Sequence, residues 1–93
     1  MSEIEAEEII KNSIDGILEG EEIVISARKP SSRLEHHTVF AIIFKHDKLL
    51  EIEVIKKVKK LATENPLFVF GGSEVNNKFE MDFVAIFVVA TIK

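Results

Sequence analysis

The segment Arg28-Lys29-Pro30-Ser31-Ser32-Arg33 holds the densest set of groups that could do chemistry in this chain. Both arginines of the sequence, one lysine and two hydroxyls fall within six residues. Guanidinium forks and hydroxyls suit phosphate oxygens, so Arg28, Lys29, Ser31, Ser32 and Arg33 form a candidate phosphate or nucleic-acid contact on a loop between strands. The competing reading is a solvated loop in which Pro30 and the serines turn the chain. A net charge of −4 and the nearby Glu35 favour the solvated loop.

Other chemical signals are weaker. Lys56, Lys57, Lys59 and Lys60 could track a nucleic-acid backbone. They read better as a helix face that complements its own C-terminus, with Glu53→Lys57 as an i,i+4 pair. His36 and His37 point to opposite faces of an extended chain, and His46 lies roughly 30 Å further along a strand. The three cannot converge within one chain on a metal, so no metal site is expected. Gly71-Gly72-Ser73 lacks the lysine and following helix of a phosphate loop and reads as a hairpin loop. Glu51 and Glu53 have no histidine partner in reach, and the chain has no Cys and no GxSxG or HExxH motif. A non-catalytic protein without a cofactor is expected.

Phe79, Phe83 and Phe87, with Phe68 or Phe70 nearby, could stack bases on a sheet. Their face also carries Met81 and Val89 and no basic residue, so it reads as the core beneath helices. The strand that carries them becomes apolar on its second face through Val84, Ile86, Val88 and Ala90. A strand apolar on both sides needs covering on both. Val84, Ile86 and Val88, beside Val39, Ala41 and Ile43 or their alternates, are therefore expected on a bare face that a second copy covers.

The elements that position these residues follow from spacing. Ser2 and Glu5 match a capping box, and Ala6, Ile9, Ile10, Ile14, Ile17 and Leu18 recur at helical intervals. The first helix is predicted from about Glu3 to Leu18, capped by Gly20. Strands are predicted over Glu22 to Lys29, with Ile23, Ile25 and Ala27 on one side, and over His37 to Lys45. The second is apolar throughout, so it should be central and covered on both faces. Residues 48–54 fit either a helix capped by Asp47 or an alternating strand. The run of helix formers favours a helix from Lys48 to Thr63, stopped by Asn65-Pro66. Leu67 to Phe70 reads as a short strand, the segment from Gly71 to Asn77 as a turn-rich loop, and the remainder as a long final strand.

The order is α-β-β-α-β-β. Moving the last strand to the front gives β-α-β-β-α-β, the element order of ferredoxin-like domains. The expected fold is therefore α+β, a circularly permuted ferredoxin-like two-layer sandwich. It would hold an antiparallel four-stranded sheet with two helices on one face.

The 93 residues fit one domain that buries roughly 60–65% of its unfolded surface. The acidic N-terminus lacks the basic and apolar regions of a signal peptide, and no uncharged run is long enough for a membrane span. A cytoplasmic protein without membrane association is expected. Abundant Ile, Glu and Lys without Gln, Cys, Trp or Tyr fit either a thermophile or an AT-rich lineage. The function expected is a homo-oligomeric interaction or regulatory module joined through its sheet face. The alternative is a small RNA- or DNA-binding protein using the Arg28–Arg33 loop.

Overall fold

The computed structural model describes residues 1–17, 22–28 and 36–92. Its elements are α1 (Glu3–Ile14), β1 (Val24–Arg28), β2 (His37–Lys45), α2 (Lys48–Glu64), β3 (Phe68–Lys78) and β4 (Met81–Thr91). The fold is α+β, with one four-stranded antiparallel sheet in the order β1-β2-β4-β3. Both β2 and β3 run antiparallel to β4, which lies between them. The two strands joined by α2 are therefore parallel to each other without touching.

Helix starts follow their caps. The Glu5 N–H donates to Ser2 Oγ at 3.1 Å, and the Leu50 N–H donates to Asp47 Oδ1 at 3.0 Å. These bonds satisfy amides that have no partner inside the helix. Residues 48–54 are helical, as the helix formers suggest. Asn65 ends α2 by donating its N–H to the Leu61 carbonyl at 2.8 Å, while its side-chain oxygen accepts from the Leu67 N–H at 3.0 Å.

Three boundaries differ from expectation. Helix α1 stops at Ile14, four residues early. Asp15 is extended, Gly16 takes φ +84°, and the Ile17 N–H donates to the Ile14 carbonyl at 3.3 Å. That is the geometry of a type II turn, which requires the left-handed conformation that glycine adopts at no steric cost. Leu18 and Gly20 lie outside the described residues. Strand β3 is not short: it passes through the glycines and asparagines as far as Lys78. A bulge between Phe70 and Ser73 absorbs Gly71 and Gly72, the latter at φ +100°. The hairpin turn is Phe79-Glu80, with both residues at positive φ (53° and 62°).

The core lies between the helices and one face of the sheet. Phe40, Ile42 and Phe44 of β2 and Val84, Ile86 and Val88 of β4 meet Ala6, Ile10 and Ile14 of α1 and Val54, Val58 and Leu61 of α2. Register explains the fit. Phe40 faces Val88 and Phe44 faces Val84, so each large ring sits beside a small β-branched neighbour. Thr38 Oγ1, buried at the end of this layer, donates to Glu3 Oε1 at 3.0 Å and ties the start of α1 to β2.

These positions give the first prediction. Ile86 is fully buried, so Ile86→Asp places an unpaired charge in the core at a cost of several kcal/mol. Asp82 is exposed, and among the described residues its carboxylate accepts a side-chain hydrogen bond only from Asn77 Nδ2, at 2.9 Å. Asp82→Ala should cost less than about 1 kcal/mol. Urea unfolding checks this: the first variant should be unfolded or nearly so, and the second should keep a midpoint close to the parent.

Candidate functional site

Alternation along β2 and β4 turns a second set of side chains away from the helices. Val39, Ala41 and Ile43 of β2 share this open face with Phe83, Ala85, Phe87 and Val89 of β4. The register places Val39 beside Val89, Ala41 beside Phe87, Ile43 beside Ala85, and Lys45 beside Phe83. Val24, Ser26 and Arg28 of β1 extend the face at one edge, and Val69, Glu74 and Asn76 of β3 at the other. Among the described residues no helix covers it. The larger side chains shade one another to half-burial and bury Ala41 and Ala85 between them, while Val69 and Val24 remain mostly exposed.

The face assignment of β4 is thus corrected. Val84, Ile86 and Val88, expected on the bare face, lie wholly beneath the helices. Phe83 and Phe87, expected in the core, stand on the open face. Expecting aromatic residues to mark the core face produced the error. Phe40, Phe44 and Phe68 already fill the helix side, and smaller β-branched neighbours complete that layer. The register held the missing signal: an antiparallel pairing that sets Phe40 and Phe44 beside valines also sets Phe87 beside Ala41. Strand β2 is central as expected, but helices cover only one of its faces.

Gly71 makes a close approach where the edge strand crosses this face. A Cβ there would lie 3.2 Å from Cβ of Phe87 and 3.4 Å from Cγ2 of Val89. The bulge and the bare α-carbon let β3 close against the Phe87 side chain.

At the hairpin end the open face dips into a cavity of about 310 Å³. Ile43, Phe83 and Ala85 supply its apolar lining and Lys78, Glu74 and Asn76 its polar groups, while Arg28 borders it from the opposite end of β1. Phe79 also borders it from the turn with 96% of its surface exposed. Asn76 Nδ2 donates to Glu74 Oε1 at 3.0 Å between two exposed side chains. Among the described residues no carboxylate pairs with Arg28 or Lys78. A larger cavity of about 520 Å³ lies between the end of α1 and β1, lined by Ile14, Ile23 and Ile25 with Lys11 and Asp15. It brings no reactive groups together.

Of the basic segment, Arg28 ends β1, paired with Val39. Lys29, Ser31, Ser32 and Arg33 lie outside the described residues. The histidines stand at the two ends of β2. His46 Nε2 is 3.1 Å from Glu51 Oε1, His36 is exposed, and His37 is half-buried with Nδ1 unpaired. Among the described residues no three His, Asp or Glu side chains converge as a metal site requires. In the lysine run, Lys60 pairs with Glu64 at 3.9 Å and Lys59 lies 5.3 Å from the Phe70 ring centre. The Glu53–Lys57 pair does not form. No described helix is long and apolar enough to cross a membrane. Comparison with family models, curated proteins and solved structures yields no match to this chain.

The hairpin turn carries a stability prediction. Two left-handed non-glycine residues in succession are strained, because this turn type favours Asn-Gly. Glu80→Gly should raise the unfolding free energy by about 1 kcal/mol, read as a higher urea midpoint with an unchanged slope.

Proposed function

We propose that the protein is a non-catalytic interaction module whose working surface is the open sheet face, and that its partner there is a second copy of itself. The observation that carries this reading is the apolar row Val39, Ala41, Ile43, Phe83, Ala85, Phe87 and Val89 on two central strands, with no element over it among the described residues. Four strands about 4.8 Å apart and a nine-residue β2 give a face of roughly 550 Å². The apolar row covers its two central strands, roughly 300 Å², about the size of the largest apolar patch on an ordinary monomer. Two whole faces would bury roughly 1,100 Å², near the lower bound for a specific interface, so a dissociation constant in the micromolar range is expected. Stacked sheets about 10 Å apart bury such faces in sandwich proteins.

The element order supports a circularly permuted ferredoxin-like architecture. The unit β2-α2-β3 is a split βαβ, with β4 inserted between its parallel strands. Placing β4 before α1 would make a second unit, β4-α1-β1, with β2 inserted. The absence of Cys and the composition support a cytoplasmic setting.

Nucleic-acid binding is the second reading. It gains from Phe83 and Phe87 on the open face with Arg28 at its edge, as on sheets that stack bases. The apolar content of the remaining face favours self-association.

Sedimentation tests the first reading. The parent should approach dimer mass at tens of micromolar. Phe87→Glu should remain folded by circular dichroism and associate at least about tenfold more weakly, equivalent to about 1.4 kcal/mol. A parent that stays monomeric at several hundred micromolar defeats the proposal. For the second reading, replacing Arg28, Lys29 and Arg33 together by Ala is informative. If they contact phosphate, oligonucleotide affinity should fall and its salt slope should flatten by roughly 0.7–0.9 per lost contact. The self-association reading expects weak oligonucleotide binding that the triple replacement leaves unchanged.

A further inference from the structure

Strand β3 stands last in the sheet, so one side of its backbone has no partner strand among the described residues. It is eleven residues long and contains no proline. An edge of that kind is a template for another strand, and proteins commonly blunt it with bulges or charges. The bulge in β3 lies between Phe70 and Ser73 only. From Glu74 to Lys78 the pairing with β4 is regular, and every residue is exposed.

The side chains of this stretch suit one incoming strand in particular. Pairing with Ala85, Phe83 and Met81 puts Glu74, Asn76 and Lys78 on the open face of the sheet. Among the described residues Glu74 has no cation at ion-pair distance and Lys78 has no carboxylate. The two are roughly 13 Å apart along the strand and do not pair with each other. A second β3 laid antiparallel, with Asn76 beside Asn76, sets each Glu74 opposite Lys78 of the other copy. Directly opposed residues share a face and interact, so this register gains two attractive pairs. Centring the pair on Glu74 or on Lys78 opposes like charges. Centring it on Val75 or Asn77 opposes a charge with an amide. The Asn76 register also ends the ladder where the strand stops being regular. One step beyond Lys78 comes the Phe79 turn, and opposite it stands Ser73, the last residue of the bulge. A Cβ built on Gly72 meets nothing within 4 Å, so there is open space beside the bulge for the Phe79 ring, which is 96% exposed in a single copy.

We propose that β3 pairs edge to edge with β3 of a second copy, from Glu74 to Lys78, two-fold about Asn76. Main-chain hydrogen bonds hold the two edges together, and the crossed Glu74–Lys78 pairs select the register. The two sheets become one continuous sheet with both open faces on the same side. This contact goes beyond the face-to-face association proposed above and does not rest on it, because it uses the edge and leaves the apolar row uncovered.

The test follows backbone amide resonances of the full chain carrying Phe87→Glu, which disables the face contact. A dilution series from about 2 mM to about 50 μM brackets the dissociation constant expected, about 1 mM or tighter. Concentration-dependent shifts should be confined to Glu74 through Phe79. Glu74→Lys alone and Lys78→Glu alone each oppose like charges twice, and each should weaken the association about tenfold. The double variant Glu74→Lys/Lys78→Glu restores both attractive pairs and should recover the starting affinity within about twofold. An equimolar mixture of the two single variants should also associate, since each supplies the charge the other lacks. Absence of concentration-dependent shifts at Glu74 to Phe79 up to about 2 mM overturns the proposal. Single reversals that change nothing, or a double variant as weak as the singles, overturn it as well. The reversals lie at exposed positions and are read from the same amides with Phe87 intact, so the result stands even if Phe87→Glu does not fold. Shifts at Phe83 to Val89 in the chain with Phe87 intact report the face contact separately, and either idea can fail alone.

Discussion

The pairing of β2 with β4 is the constraint on which the rest of the structure depends. These are the two central strands, and they pair without interruption from His37 beside Thr91 to Lys45 beside Phe83. Side chains alternate between faces, so this one register decides which residues become core and which become surface. On the helix side it sets phenylalanine beside valine; on the open side it sets phenylalanine beside alanine. Shifting it by one residue would send Phe83 and Phe87 beneath the helices, into a layer that Phe40 and Phe44 already fill. Overpacked cores are destabilising, and this exclusion keeps the aromatic pair on the open face.

Every other element adapts to that ladder. Helix α2 crosses from the end of β2 to the start of β3, with Asp47 and Asn65 closing its two ends. Strand β3 joins β4 at the far edge through the Gly71-Gly72 bulge, where a Cβ at Gly71 would press within 3.2 Å of the Phe87 Cβ. The hairpin that results is long enough to carry Phe79 and Lys78 to the border of the open-face cavity.

Much of the fold was legible in the sequence for identifiable reasons. The caps Ser2 and Asp47 make short-range hydrogen bonds that depend on nearby residues alone. The bounds of β2 follow from an unbroken apolar run between polar ends. Residues 71–77 were not legible, because glycine and asparagine suit turns equally well as bulges and edge strands, and only pairing with β4 selects among these. The faces of β4 were not legible for a related reason: both are apolar from Val84 onward, so periodicity carries no direction there. Counting Phe79 as a strand residue, when it is the first residue of the turn, reinforced the wrong choice. Of the candidate contact residues, Arg28 falls beside the open face, and the segment that follows it lies outside the described residues.

The central claim is that the aromatic face of β4 is a surface at which two copies meet. The most direct measurement is the solvent accessibility of the Phe83 and Phe87 ring protons, read from relaxation by a soluble paramagnetic agent across a dilution series. The account predicts that both rings are protected at high concentration and become accessible on dilution through the micromolar range, while Phe40 and Phe44 stay protected throughout. Accessibility of Phe83 and Phe87 that is high and independent of concentration would contradict it.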